Sequence, residues 1–145
     1  MGDIDVRSRI IGSIFLLERK LDSIGNREFG AVGLTTKQWF VLINIAAMGE
    51  NASISKVAEN LSTSHQNIKQ IALQLQKKGF IDIVPDENDA RKQILMITDE
   101  SRRIWNERED IDVNTIRMVT APLTDRESKE FLNKLELLIA NLENL

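Results

Sequence analysis

The chain has 145 residues, no cysteine and a formal net charge of −3 at pH 7. That length fits one domain, burying about 68–70% of its unfolded surface without staples. The absent cysteines exclude disulfides, thiolate metal sites and thiol redox sensing, and make an intracellular, cytoplasmic protein the economical expectation. The start, MGDIDVRSRI, places acids before any apolar run. This reverses a secretory leader, so none is expected. The longest apolar run, Trp39–Ile43, is far below the ~18 residues of a membrane span, and no membrane partner is expected.

In chain order, Ile10, Ile14, Leu17, Leu21 and Ile24 recur at helical spacing and predict a first helix from about Ile4 to Ile24. Gly25–Leu34 holds three of the seven glycines and is expected to be a loop. Thr35 with Gln38 forms a capping box opening the next helix, which stops at Gly49. Ser55 is expected to cap a short helix with Val57, Ala58 and Leu61 inward. Thr63 with Gln66 reads as a second capping box, and the helix it opens turns Ile68, Ile71, Ala72 and Leu75 inward and stops at Gly79. Phe80–Val84 is a predicted strand ended by Pro85, and Gln93–Ile97 its partner. Pro85–Lys92, rich in Asp and Asn, joins them. Thr98 caps a further helix running to about Thr120, with Asp99 and Glu100 where the helix dipole favours acids. Pro122 breaks it. Thr124 with Glu127 opens a last helix carrying Phe131, Leu135, Leu138 and Leu142 on one face.

Short helix, turn, helix and charged-tip hairpin, from Ser53 to Thr98, is the order of a DNA-gripping unit. The charge distribution agrees with it better than the net charge does. From Ser62 to Gly79 there are three lysines, one histidine and no acid, whereas Asp99–Asp112 carries six acids against three arginines. Ser64, His65, Gln66, Asn67, Lys69 and Gln70 line the start of the second helix. Gln and Asn can bond adenine N6 and N7, and Lys can reach guanine O6 and N7. Lys77 and Lys78 are expected to complement the helix C-terminus or touch phosphate. Alone, the helix also reads as an ordinary amphipathic helix with a polar solvent face. Arg91 at the hairpin tip can enter a minor groove, held extended by Asp89, with Lys92 beside them. The same pair could simply stabilise the loop. A calcium loop is rejected, because Ala90 and Arg91 stand where an oxygen ligand and a glycine are required.

The segments LTTKQWFVL (34–42), VAENLSTSHQNIKQIALQLQKKGFI (57–81) and DENDARKQILMIT (86–98) resemble the MarR family of winged helix-turn-helix regulators. The family's wing signature appears as Asp89, Arg91, Ile97 and Thr98. The resemblance implies a mainly α fold with a small β-hairpin wing. Its single 1–145 domain would have a reading region at about 35–98 and dimerisation helices at about 1–34 and 99–145. It further implies a homodimer on a palindromic operator, with the helix from Ser64 in the major groove and Arg91 in the minor groove. Release by a small, often aromatic or phenolic, ligand is also implied, and Phe15, Trp39 and Phe40 are the candidate pocket residues. These aromatics read equally as plain core. The chain departs from the family at Ala90, where many members have an arginine, at Lys69–Gln70, in place of a frequent Thr-Arg pair, and at Ser101, in place of a common glycine. No cofactor, metal or catalytic residue is expected: there is one histidine and no glycine-rich phosphate loop. The expectation is a DNA-binding regulator, expected to repress. The alternative is a winged-helix protein-interaction module that never touches DNA.

Overall fold

The computed structural model describes residues 3–145, which fall in two compact units, 3–104 and 105–145. The described residues form α1 (Asp3–Gly30), α2 (Thr36–Met48), a 3-10 turn (Gly49–Asn51), α3 (Ile54–Asn60), α4 (His65–Lys77), β1 (Ile81–Pro85), β2 (Gln93–Ile97), α5 (Asp99–Thr120) and α6 (Asp125–Glu143). None of these helices is long and apolar enough to cross a membrane.

The first correction concerns α1, which does not stop at Ile24 but continues through Gly25 to Gly30. Gly25 is buried, and a Cβ there would collide with the Thr36 side chain. Thr36 Oγ1 donates to the Asp22 carbonyl at 2.8 Å, and the Thr36 amide donates to Asn26 Oδ1 at 2.9 Å. Gly25 thus marks a close approach of α1 to the start of α2 rather than a loop.

The α2 cap is as predicted, with Thr35 and Gln38 bonding each other's backbone, and Gly49 ends the helix at φ 59°. α3 starts two residues earlier than predicted: Ser53, not Ser55, accepts the Lys56 amide. Ile54 is 2% exposed, so the helix must begin with it facing inward. α4 is capped by Ser64, whose hydroxyl accepts the Asn67 amide, not by Thr63. Thr63 is already committed to the end of α3. Its amide donates to the Ala58 carbonyl and that of Ser62 to Glu59, while Ser62 takes the left-handed conformation at φ 49°. That pairing closes a helix C-terminus, usually around a glycine. Gly79 ends α4 in the same way, at φ 83°, with its own amide on Gln76 and that of Phe80 on Leu75. Phe80 therefore belongs to the turn, and the strand begins at Ile81.

β1 and β2 pair antiparallel, from Ile81 opposite Ile97 to Pro85 opposite Gln93. Pro85, lacking an amide hydrogen, is tolerated at the strand end. Ser53 bridges Ile94, and the Leu95 amide donates to the Ala52 carbonyl at 2.8 Å, so the hairpin is anchored beside α3. Leu42, Ile45, Ile54, Val57, Ile68, Ala72, Leu75, Ile81 and Leu95 form the core of the first unit. Thr98 caps α5 through the Ser101 amide and also donates to the Gly79 carbonyl at 2.7 Å. Ser101 is buried, with its hydroxyl on the Phe80 carbonyl at 2.5 Å. A glycine there would leave that carbonyl without this bond.

In the second unit, Thr124 and Glu127 form the predicted capping box at the start of α6. Arg108 donates to Asp112 at 3.0 Å, one turn along α5. α6 has no buried residue.

Candidate nucleic-acid interface

α4 stands on the core through Ile68, Ala72 and Leu75. The same 3.6-residue period that turns these inward turns Gln66, Lys69 and Gln70 outward. Ser64, His65, Gln66, Asn67, Lys69 and Gln70 are all exposed. Two of them already have local work. Ser64 caps the helix, and Asn67 Nδ2 donates to Thr63 Oγ1 at 2.9 Å. Gln66, Lys69 and Gln70 are the long polar side chains pointing away from the core on consecutive turns.

Lys78 behaves differently from the expectation of a dipole or phosphate contact. Its Nζ donates to the Gly33 carbonyl at 2.5 Å and to Gln38 Oε1 at 2.8 Å. Gln38 is buried and donates in turn to Gln74 Oε1 at 2.9 Å. This chain of bonds fixes the C-terminal half of α4 against the start of α2, so the tilt of the exposed face is set from two ends. Nothing in local sequence spacing signals it, because the partners lie about forty residues apart.

At the hairpin tip, Asp89 accepts from Arg91 Nε at 3.0 Å, from Nη2 at 3.3 Å and from the Arg91 amide at 3.1 Å. These bonds hold the Asp89 carboxyl below the usual carboxylate range, the Arg91 side chain being the largest cause. The Arg91 side chain is 92% exposed even so. Asp86 accepts the Asn88 amide at 2.9 Å, and its own amide donates to the Lys92 carbonyl. Asp86 is therefore half-buried and occupied in shaping the loop, while Glu87 and Lys92 are exposed. The tip presents an arginine braced by a carboxylate, suited to a narrow, negative groove.

The pocket candidates are dispersed. Phe15 lines a groove of about 580 Å³ with Leu16, Glu18, Arg19, Asp22 and Lys37. Trp39 stacks on Phe29, ring centres 4.4 Å apart, and Phe40 stands half exposed.

A short helix, a four-residue turn, a second helix with a polar outer face and a braced hairpin tip define a winged helix-turn-helix protein. Residues 32–92 match the family model described as "MarR family". The chain is 28% identical over 104 residues to "Transcriptional activatory protein BadR" of Rhodopseudomonas palustris, covering 70% of this chain and 59% of that protein. It is 31% identical over 98 residues to "Uncharacterized HTH-type transcriptional regulator YybA" of Bacillus subtilis, covering 66% and 63%. The chain thus spans about three fifths of the length of these curated relatives. Its fold matches the crystal structure of a MepR-DNA complex from S. aureus with a TM-score of 0.77, covering 88% of this chain and 94% of that one at 13% identity. The similarity to the MarR family thus rests on residues 32–92 and on these two curated regulators.

Proposed function

We propose that this chain is a sequence-specific DNA-binding regulator of transcription that acts as a homodimer on a palindromic operator. The observation that carries the reading is the exposed polar face of α4 beside the braced Arg91 tip. The names of its relatives, and the DNA held by MepR, support it. Gln66, Lys69 and Gln70 would meet base edges in the major groove. Ser64 and His65, at the helix start, would lie close to phosphate, and Arg91 with Lys92 would reach the flanking minor groove. A role on the chromosome would make the protein cytoplasmic.

Dimerisation is supported by the apolar side chains that α1 and α6 leave in water, among them Phe15, Leu16, Phe131, Leu138 and Leu142. Two copies would set the reading helices about one helical turn apart, roughly 34–36 Å. Repression by occupying the operator is the sign of regulation we favour, although one relative is named an activator. The groove beside Phe15 is of a size that suits a small ligand, and its occupation would release DNA.

Selection of genomic fragments by the full chain, followed by binding isotherms against salt, tests this. Specific fragments should emerge and affinity should fall steeply with salt. Arg91→Ala should weaken binding without changing the oligomeric state. Failure to retain any fragment at low salt would instead favour a protein-interaction module, a reading to which the exposed Glu87 at the tip lends some support.

A further inference from the structure

Between residues 35 and 98 only Phe40, Leu73 and Met96 are large apolar side chains left exposed, and Leu73 alone of these lies on α4. Leu73 is 50% exposed. At 3.6 residues per turn it falls within about 20° of Gln66 around the helix, between the rows of Lys69 and Gln70. Ile68, Ala72 and Leu75 point to the opposite side. A single exposed leucine needs no explanation by itself. This one sits on the midline of the stripe whose other members are hydrogen-bonding side chains, one turn beyond Lys69 and Gln70.

We propose that Leu73 is a specificity-determining residue that packs on the C5 methyl group of a thymine, so that each operator half-site carries a thymine at that place. The inference rests on the reading of α4 as the recognition helix. In the major groove thymine offers an O4 acceptor and the C5 methyl, the one apolar group on any base edge there. Lys69 and Gln70 precede Leu73 by four and three residues, or about 4.5–6 Å along the axis at 1.5 Å per residue. One to two base-pair steps of about 3.4 Å span that distance. Leu73 thus meets a base pair next to those read by Lys69 and Gln70. Cytosine there would lack the methyl and turn its N4 donor toward a side chain that cannot accept it.

The test begins with a duplex selected from random sequence by the full chain. Each thymine is then replaced by uracil, which removes the C5 methyl and leaves the pairing unchanged. For the unaltered protein, one thymine per half-site should show a loss of about fourfold in affinity, the worth of one buried methyl group. For Leu73→Ala that same replacement should have no effect, while responses elsewhere remain. The salt slope should match that of the unaltered protein, since no phosphate contact is lost. Far-UV circular dichroism and the urea midpoint should also be unchanged, because the side chain is outside the core. If the protein binds its duplex but no uracil position loses its effect in Leu73→Ala, the inference fails and the DNA-binding reading stands. Equal weakening of thymine and uracil duplexes by Leu73→Ala likewise overturns it. If no duplex is selected at all, the DNA-binding reading itself falls, and this inference with it.

Discussion

α4 and α6 are both amphipathic helices with serine or threonine caps, of 13 and 19 residues, yet they end in opposite states. α4 buries Ile68, Ala72 and Leu75 in the core of its own unit. α6 buries nothing, and Phe131, Leu132, Leu137, Leu138, Ile139 and Leu142 remain exposed. Amphipathic pattern therefore says that a helix has an apolar face to cover, without saying what covers it. For α4 the cover is in the same chain. For α6 we propose that it is a second copy, and the two helices should respond to mutation in different ways.

The largest effect per protomer is expected from the core. Ile68→Ala should cost about 2–5 kcal/mol of unfolding free energy, through lost burial plus the cavity left behind. Urea unfolding would show it as a lower midpoint at every protein concentration. A cost under 1 kcal/mol would mean that the core closes over the gap and that α4 is held mainly by the Lys78–Gln38–Gln74 bonds.

Phe131→Asp in α6 should act through association instead. An apolar side chain buried in an interface contributes about 1.5–3 kcal/mol per protomer, and a homodimer loses it twice, so dimer dissociation should become about 100- to 10,000-fold easier. Sedimentation should show this shift directly. The thermal midpoint of the unaltered protein should rise with concentration, and that dependence should weaken in the variant. A monomer at all concentrations, with no change on Phe131→Asp, would remove the proposed dimer and leave α6 unexplained.

Legibility in the sequence followed the range of the interactions. The capping boxes at Thr35 and Thr124 and the stops at Gly49 and Gly79 rest on residues within a few positions of each other, and the pairing of β2 spans only one short hairpin, so all are readable. The misreadings came where two local signals competed or where a distant partner decided. Gly25 resembled a break because spacing cannot reveal that Thr36 packs against it. Thr63 resembled a cap, but Ser62 in the left-handed conformation commits Thr63 to the end of α3 and hands the cap to Ser64. Of the candidate site, the exposed residues of α4 and the Asp89–Arg91 pair were visible from spacing alone. Lys78 was not, because its acceptors Gly33 and Gln38 belong to another helix junction. Leu73 carries no such signal, because an apolar residue in a helix is ordinarily counted toward the core.

The smallest effect concerns the wing, where exposure weakens every contact. Asp89 is held ionised by Arg91, so its folded-state pKa lies below that of the unfolded chain. A carboxyl depressed in this way adds stability that is fully present above the unfolded value, about 3.9. That contribution is lost as pH falls through the lower, folded value. At neutral pH the brace should be complete, and DNA binding should owe none of its pH dependence between 6 and 8, roughly, to Asp89. Carbon-13 NMR of the Asp89 carboxyl should show a titration midpoint below the usual carboxylate range. In Arg91→Ala the midpoint should return toward that range, because the largest cause of the depression is gone. Asp89→Asn keeps the shape of the side chain but removes its charge. It should loosen Arg91 and weaken binding less than Arg91→Ala does, since the guanidinium is still present to enter the groove. Equal losses from the two substitutions would mean that the brace, rather than the arginine's own contact, is what the wing contributes.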